Sequence, residues 1–128
     1  TIVCGLPSSR VEAVHAAVRA AHHAARGQVR AGMHAEEVDA MARSVLTDAG
    51  YGERFVHRTG HGVGLDVHEP PYIVSGNQER LEVGMAFSIE PGAYFTGQFG
   101  VRVEDVVVLG EEGGVAMTEA PQELKHVG

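Results

Sequence analysis

The sequence predicts an α+β fold, and three observations carry that prediction. Between Ser9 and Ala49, apolar residues recur at helical spacing in two separate segments. From Tyr51 onward the pattern changes to short alternating or apolar runs divided by glycine-rich turns. Helical patterns therefore precede strand patterns instead of alternating with them, which segregates helices from an antiparallel sheet. With 128 residues, 44% of them hydrophobic, the chain can fill one modest core, and positions 1–128 are read as a single unit.

Thr1 to Cys4 reads as a short strand ended by Gly5 and Pro7. Cys4 sits in an apolar run, so a buried, inert thiol is expected there. Ser9-Arg10-Val11-Glu12 fits a capping box with Ser9 as N-cap. Val11, Val14, Val18, Ala21, Ala25 and Val29 then mark one face of a long helix, with Gly32 as its stop. His15, His22 and His23 are read as part of a solvated face, because no carboxylate joins them at i+3 or i+4.

A second helix is expected from about Ala35 to Ala49, with Glu36 and Glu37 in the first turn, where the helix dipole favours them. Val38, Met41, Ala42, Val45 and Leu46 are its apolar stripe, Gly50 its C-terminal cap and His34 its N-cap. Beyond it, Val63, Leu65 and Val67 alternate with polar or small residues in a strand-like way. Met85 to Ile89 forms an apolar strand ending at Glu90. Val101 to Leu109 forms another, followed by a turn over Gly110–Gly114 and a return through Val115 to Met117. The segment from Phe95 to Gly100 reads as a loop, and Pro121 to Gly128 as a loose polar end.

The chemistry concentrates in His57-Arg58-Thr59-Gly60-His61-Gly62 and on to His68-Glu69, with three histidines and three glycines in thirteen residues. Imidazole with carboxylate suits Zn, Mn, Co or Fe. Glycine on both sides of His61 removes side-chain bulk and lets other backbone come close. His61 and His68 are an odd number apart, so an unbroken strand would separate them, whereas a glycine bend would bring both to one cavity. In the strand pattern, Arg102, Glu104 and Val106 share a face opposite Val101, Val103 and Asp105. Glu104 is expected to point toward something buried and to need a partner there, a metal ion or Arg102.

These segments resemble the pita-bread metallopeptidases, the family of Xaa-Pro aminopeptidases, prolidases and methionine aminopeptidases. The resemblance rests on His57–Pro70, Gly84–Tyr94 and Gly100–Val108, and it extends from about Thr1 to Leu124. It implies the C-terminal half of a pita-bread fold, two helices packed on an antiparallel curved sheet. It implies that His61, Glu90 and Glu104 are metal ligands, with Glu104 bridging two divalent ions (Mn, Co or Zn) and Glu90 also acting as general base. It implies that His68 steadies the scissile peptide and its tetrahedral intermediate, and that His57 and Arg102 line the substrate pocket of proline-specific members. The implied activity is hydrolysis of peptide bonds next to proline, by an Xaa-Pro aminopeptidase or an Xaa-Pro dipeptidase. Methionine aminopeptidases lack the Val-Arg-Val-Glu-Asp pattern, and a non-catalytic binding module has no need of the ligand set.

The family's metal site also uses two aspartates that lie before the equivalent of Thr1, and none of Asp39, Asp48, Asp66 or Asp105 falls in that motif. The chain begins without methionine and straight into a strand, so it is expected to belong to something longer. Alone it is expected to be an inactive fragment that holds at most one ion loosely. It should also self-associate or pair with the missing half. The formal net charge of −7 and the lack of any Lys/Arg run argue against a nucleic-acid partner. No apolar run is long enough for a membrane span. The single cysteine fits a reducing compartment, and the cytoplasm is the expected location.

Overall fold

The fold is a computed structural model that describes residues 1–118 and 120–128. Strand β1 (Ile2–Cys4) leads to helices α1 (Ser9–Gln28) and α2 (Ala35–Asp48), and then to a short 3-10 turn at Gly52–Arg54. Strands follow at β2 (Gly60–Gly62), β3 (Glu69–Ile73), β4 (Ala86–Ile89), β5 (Gly92–Phe95) and β6 (Phe99–Arg102). The last three are β7 (Asp105–Gly110), β8 (Gly113–Ala116) and β9 (Lys125–Val127). The main sheet is antiparallel with order β3-β2-β4-β7-β8, and β5 and β6 form a separate hairpin.

Both helices form as their periodicity predicts. Val14, Val18, Ala21, Ala25 and Val29 of the α1 stripe are fully buried, as are Val38, Ala42 and Leu46 of α2. They pack against Phe87 and Ile89 of β4 and Val107 and Leu109 of β7, which point from the sheet toward the helices. Ser8, one residue earlier than predicted, is the N-cap of α1, its hydroxyl accepting from the Val11 amide at 3.3 Å. At α2, Glu37 reaches back to accept from the His34 amide at 2.6 Å, so the second half of a capping box forms without a serine.

Several expectations give way to tertiary context. The predicted strand through Val63, Leu65 and Val67 is a chain of bends that leaves all three side chains exposed. The run from Val101 to Leu109 is broken: β6 pairs with β5, and β7 pairs with β4 and β8. Segment 95–100 is the end of a hairpin, its turn at Thr96–Gln98 flanked by strand residues Phe95, Phe99 and Gly100. The C-terminal end is not loose, because β9 lies parallel to β1 with Ile2 opposite Lys125. Cys4 is exposed, since β1 lies outside the main sheet and buries little.

The buried face of β7 is also the reverse of the expected one. Asp105, Val107 and Leu109 turn toward α1, and Glu104 is exposed on the other side. Asp105 is only 2% exposed and collects partners on both oxygens. Thr118 donates to Oδ1 at 2.7 Å, and Gln122 and Arg26 donate to Oδ2 at 2.7 and 3.2 Å. His22 Nε2 lies 3.3 Å from Oδ2. His22 and His15 are therefore buried against this network and are not part of a solvated face. Burial pushes the His22 pKa down to about 4, with the Asp105 charge opposing, and burial also lowers that of His15.

Candidate active site and metal centre

The site grows from the place of β2 between β3 and β4. A Cβ on Gly60 would stand 1.8 Å from the Ser88 carbonyl oxygen, and one on Gly62 2.1 Å from the Pro70 carbonyl oxygen. Only glycine permits these approaches, so the two neighbours of His61 close the sheet tightly around it. Gly62 faces Phe87 across the ladder, which sets His61 opposite Ser88. Ile89 faces Asp105, so the same register carried one step further sets Glu90 opposite Glu104. Residues opposite one another share a face. His61, Ser88, Glu90 and Glu104 thus lie on the side of the sheet away from the helices.

The segment leading into β2 is braced from α2. Asp39, 1% exposed, takes a bidentate pair from Arg43 at 2.9 and 3.0 Å and a 2.7 Å hydrogen bond from the Thr59 hydroxyl. Arg43 also donates to the carbonyls of Phe55 and His57, at 2.9 and 3.0 Å. Thr59 in turn accepts from the Glu90 amide at 2.7 Å. One helical carboxylate therefore ties together the chain on both sides of the site.

His61 Nδ1 lies 2.9 Å from the Gly62 carbonyl, which can only accept, so Nδ1 carries the proton of the neutral ring. Nε2 then presents a lone pair to Glu90 Oε1, 3.2 Å away. Glu90 is 7% exposed; its Oε1 accepts from the Ser88 hydroxyl at 2.8 Å, and its Oε2 lies 3.2 Å from Arg102 Nη1. Two acceptors facing each other need a cation between them, a shared proton or a metal ion. A backbone carbonyl on the far ring nitrogen is the usual support of a metal-binding histidine. The pair therefore fits a divalent ion as two of its donors, and the site needs more.

Among the described residues, no three His, Cys, Asp or Glu side chains cluster closely enough to hold an ion. His61 and Glu90 meet, whereas Glu104 shares their face but stays exposed, felt by Arg102 as a nearby charge. His68 comes to the site through the expected bend, its ring edge-on to that of His61 with centroids 4.5 Å apart. His57 and Arg102 are joined by a residue the sequence reading passed over, Tyr94. Arg102 Nε donates to the Tyr94 hydroxyl at 2.8 Å, and that hydroxyl lies 3.2 Å from His57 Nε2. His57 Nδ1 donates to the Arg58 carbonyl at 2.7 Å, so the tyrosine proton is directed at Nε2. The available signal for Tyr94 was Gly100, directly opposite it in the hairpin, where a Cβ would strike the ring at 2.5 Å. Burial alone would lower the Arg102 pKa, but Tyr94, Glu90 and Glu104 more than offset it and raise the value. His57, His61, His68, Glu90 and Arg102 all line one cavity of about 590 Å³.

Comparison with known proteins places this geometry. Residues 1–111 match the family described as Metallopeptidase family M24. The chain is similar to a probable dipeptidase PepE of Mycobacterium tuberculosis, 52% identical over 124 residues, which are 97% of this chain and 33% of that protein. It is 47% identical over 125 residues to an Xaa-Pro dipeptidase of Lactobacillus delbrueckii subsp. lactis, covering 98% of this chain and 34% of that one. It also superposes on the crystal structure of dipeptidase PepE from Mycobacterium ulcerans with a TM-score of 0.95 and 53% identity, over 98% of this chain and 34% of that chain. The chain thus spans about a third of the length of the relatives it matches. The α+β arrangement is that of the C-terminal part of a pita-bread fold. With the family match running through the His61, Glu90 and Glu104 segments, the chain belongs to metallopeptidase family M24.

Proposed function

We propose that the full-length protein carrying this chain is a metal-dependent exopeptidase that hydrolyses peptide bonds next to proline. The observation that carries this reading is the approach of His61 Nε2 and Glu90 Oε1, two lone-pair atoms 3.2 Å apart. The names of the relatives, Xaa-Pro dipeptidase among them, support the proline specificity. In this reading positions 1–128 form the C-terminal portion of the catalytic domain. His61, Glu90 and Glu104 hold Mn, Co or Zn together with donors from elsewhere in the protein. Such ions, when bound, lower the pKa of water and stabilise the charge that develops on the substrate.

The chain's own residues do the rest. Ser88 and Arg102 hold the Glu90 carboxylate in orientation, ready to take a proton from the attacking water. His68, edge-on to His61, donates to the developing oxyanion of the scissile peptide. His57 and Arg102, linked through Tyr94, shape the side of the cavity that receives proline. The isolated chain lacks the two aspartates that a second ion needs, so it is inactive alone and associates with itself or with the remainder of the protein. Its exposed thiol is kept reduced in the cytoplasm.

The test is an assay of the full-length protein on Ala-Pro and Ala-Ala with Mn or Co, before and after chelation. Cleavage of Ala-Pro that vanishes with chelator and returns with metal is the expected result. Metal-independent cleavage, or equal rates on both peptides, would overturn the proposal.

A further inference from the structure

We infer that Glu69 is a positioning residue for the reaction: its carboxylate, clasped by the loop of residues 63–68, fixes where His68 stands over the site. This rests on the peptidase reading above, in which His68 donates to the oxyanion. Gly62 and Glu69, the last residue of β2 and the first of β3, face each other across the ladder. Facing residues share a side and neighbours along a strand alternate, so the Glu69 side chain leaves the hairpin on the side away from His61. The loop curls onto it there. The Asp66 amide donates to Glu69 Oε2 at 2.9 Å. A Cβ on Gly64 would stand 2.1 Å from Oε1 and 2.5 Å from the carboxyl carbon, so the carboxylate fills the space that a side chain at position 64 would take.

Hydrogen bonds shape this loop. Val63, Leu65 and Val67 are exposed, so within this chain they add little burial. At the entry, the Val63 amide donates to the Ala86 carbonyl at 2.9 Å. At the exit, the Tyr72 hydroxyl donates to the His68 carbonyl at 3.4 Å. Between them, the bond from Asp66 to Glu69 closes a ring of backbone and side chain that contains His68. A carboxylate accepting from a backbone amide makes a charge-assisted bond, stronger than a neutral one. The His68 imidazole leaves this ring edge-on to His61, with centroids 4.5 Å apart. Releasing the carboxylate would free the segment that carries His68, while β2 and β4 still hold His61 and Glu90 together. A displacement of about 1 Å in a group that meets the substrate is enough to cost roughly 100-fold in rate.

The experiment measures kcat on Ala-Pro and bound metal for the full-length protein. It uses wild type, Glu69→Ala, Glu69→Gln, Gly64→Ala and His68→Ala, and each of the first three substitutions combined with His68→Ala. Glu69→Ala should lower kcat roughly 10- to 100-fold with metal content unchanged. Gly64→Ala, whose methyl group displaces the carboxylate, should do the same. Glu69→Gln keeps an oxygen for the Asp66 amide and should recover most of the rate. In the His68→Ala background, Glu69→Ala and Gly64→Ala should each cost less than about 2-fold, because nothing is left to position. An equal fold-loss with and without His68, a wild-type rate in Glu69→Ala, or loss of metal would each overturn the inference and leave the peptidase reading standing. Should Glu69→Ala not fold, Gly64→Ala carries the same test with Glu69 in place. Wild-type protein that cleaves no Ala-Pro removes the peptidase reading and the inference with it.

Discussion

Tyr94 shows how much one side chain can organise. Its hydroxyl accepts from Arg102 and donates to His57, and Arg102 in turn faces Glu90. Removing the hydroxyl breaks that link without emptying space, because the ring still fills the room left by Gly100. Tyr94→Phe in the full-length protein should therefore reduce kcat/KM on Ala-Pro roughly 10-fold, the cost of a hydrogen bond to a charged group. The melting temperature should stay nearly unchanged, and steady-state kinetics beside a thermal melt check both. Asp39 is the opposite case. It touches no reacting group, but Asp39→Ala would leave Arg43 and the Thr59 hydroxyl without their shared acceptor. About 3 kcal/mol of stability should be lost, by the usual cost of breaking a mostly buried ion pair. Urea unfolding of the 128-residue chain measures it.

At the scale of elements, the contact of β2 with β4 decides whether His61 and Glu90 can meet. Gly60→Ala would drive a methyl group into the Ser88 carbonyl, and backbone on both sides of the site would have to move. That substitution should cost about 3 kcal/mol or more, and activity should fall with it. Gly27 is the control. It lies inside α1 with nothing within 4 Å of an added Cβ, so Gly27→Ala should stabilise the chain by roughly 0.5–1 kcal/mol. Opposite shifts of the urea midpoint are expected, and a similar response at both positions would contradict the steric argument.

Over the whole molecule, the C-terminal residues 120–128 fold back toward α1, where Gln122 meets His22 and Glu123 meets Arg19. Thr118 and Gln122 both bind Asp105, and β9 pairs with β1. His22 is sealed beneath them, fully buried, with its pKa lowered from 6.5 to about 4. Below pH 6.5 the unfolded chain takes up a proton that the folded chain refuses, so stability falls as pH drops from 6.5 toward 4. Between pH 7 and pH 5 the loss assigned to His22 is on the order of 2 kcal/mol. His22→Gln should flatten that part of the profile, which urea midpoints at the two pH values would reveal. An equally steep profile in the variant would assign the pH dependence to other groups, His15 first among them.

The sequence by itself determined the elements whose signal is local. The α1 and α2 stripes and the apolar β4 run were legible because periodicity depends only on neighbouring residues, and the three histidine and glutamate segments were legible as motifs. Tertiary structure decided what depends on partners far along the chain. Beyond Val63, whose amide donates to the Ala86 carbonyl, the alternation up to Val67 pairs with no strand among the described residues and stays a loop. Alternation along Val101–Leu109 marked two faces, but only the seat of α1 made Asp105 the buried carboxylate and left Glu104 on the open one. His15 and His22 looked solvated because the segment that covers them lies a hundred residues away. Tyr94 joins His57 to Arg102 through contacts across the cavity that no spacing in the chain encodes.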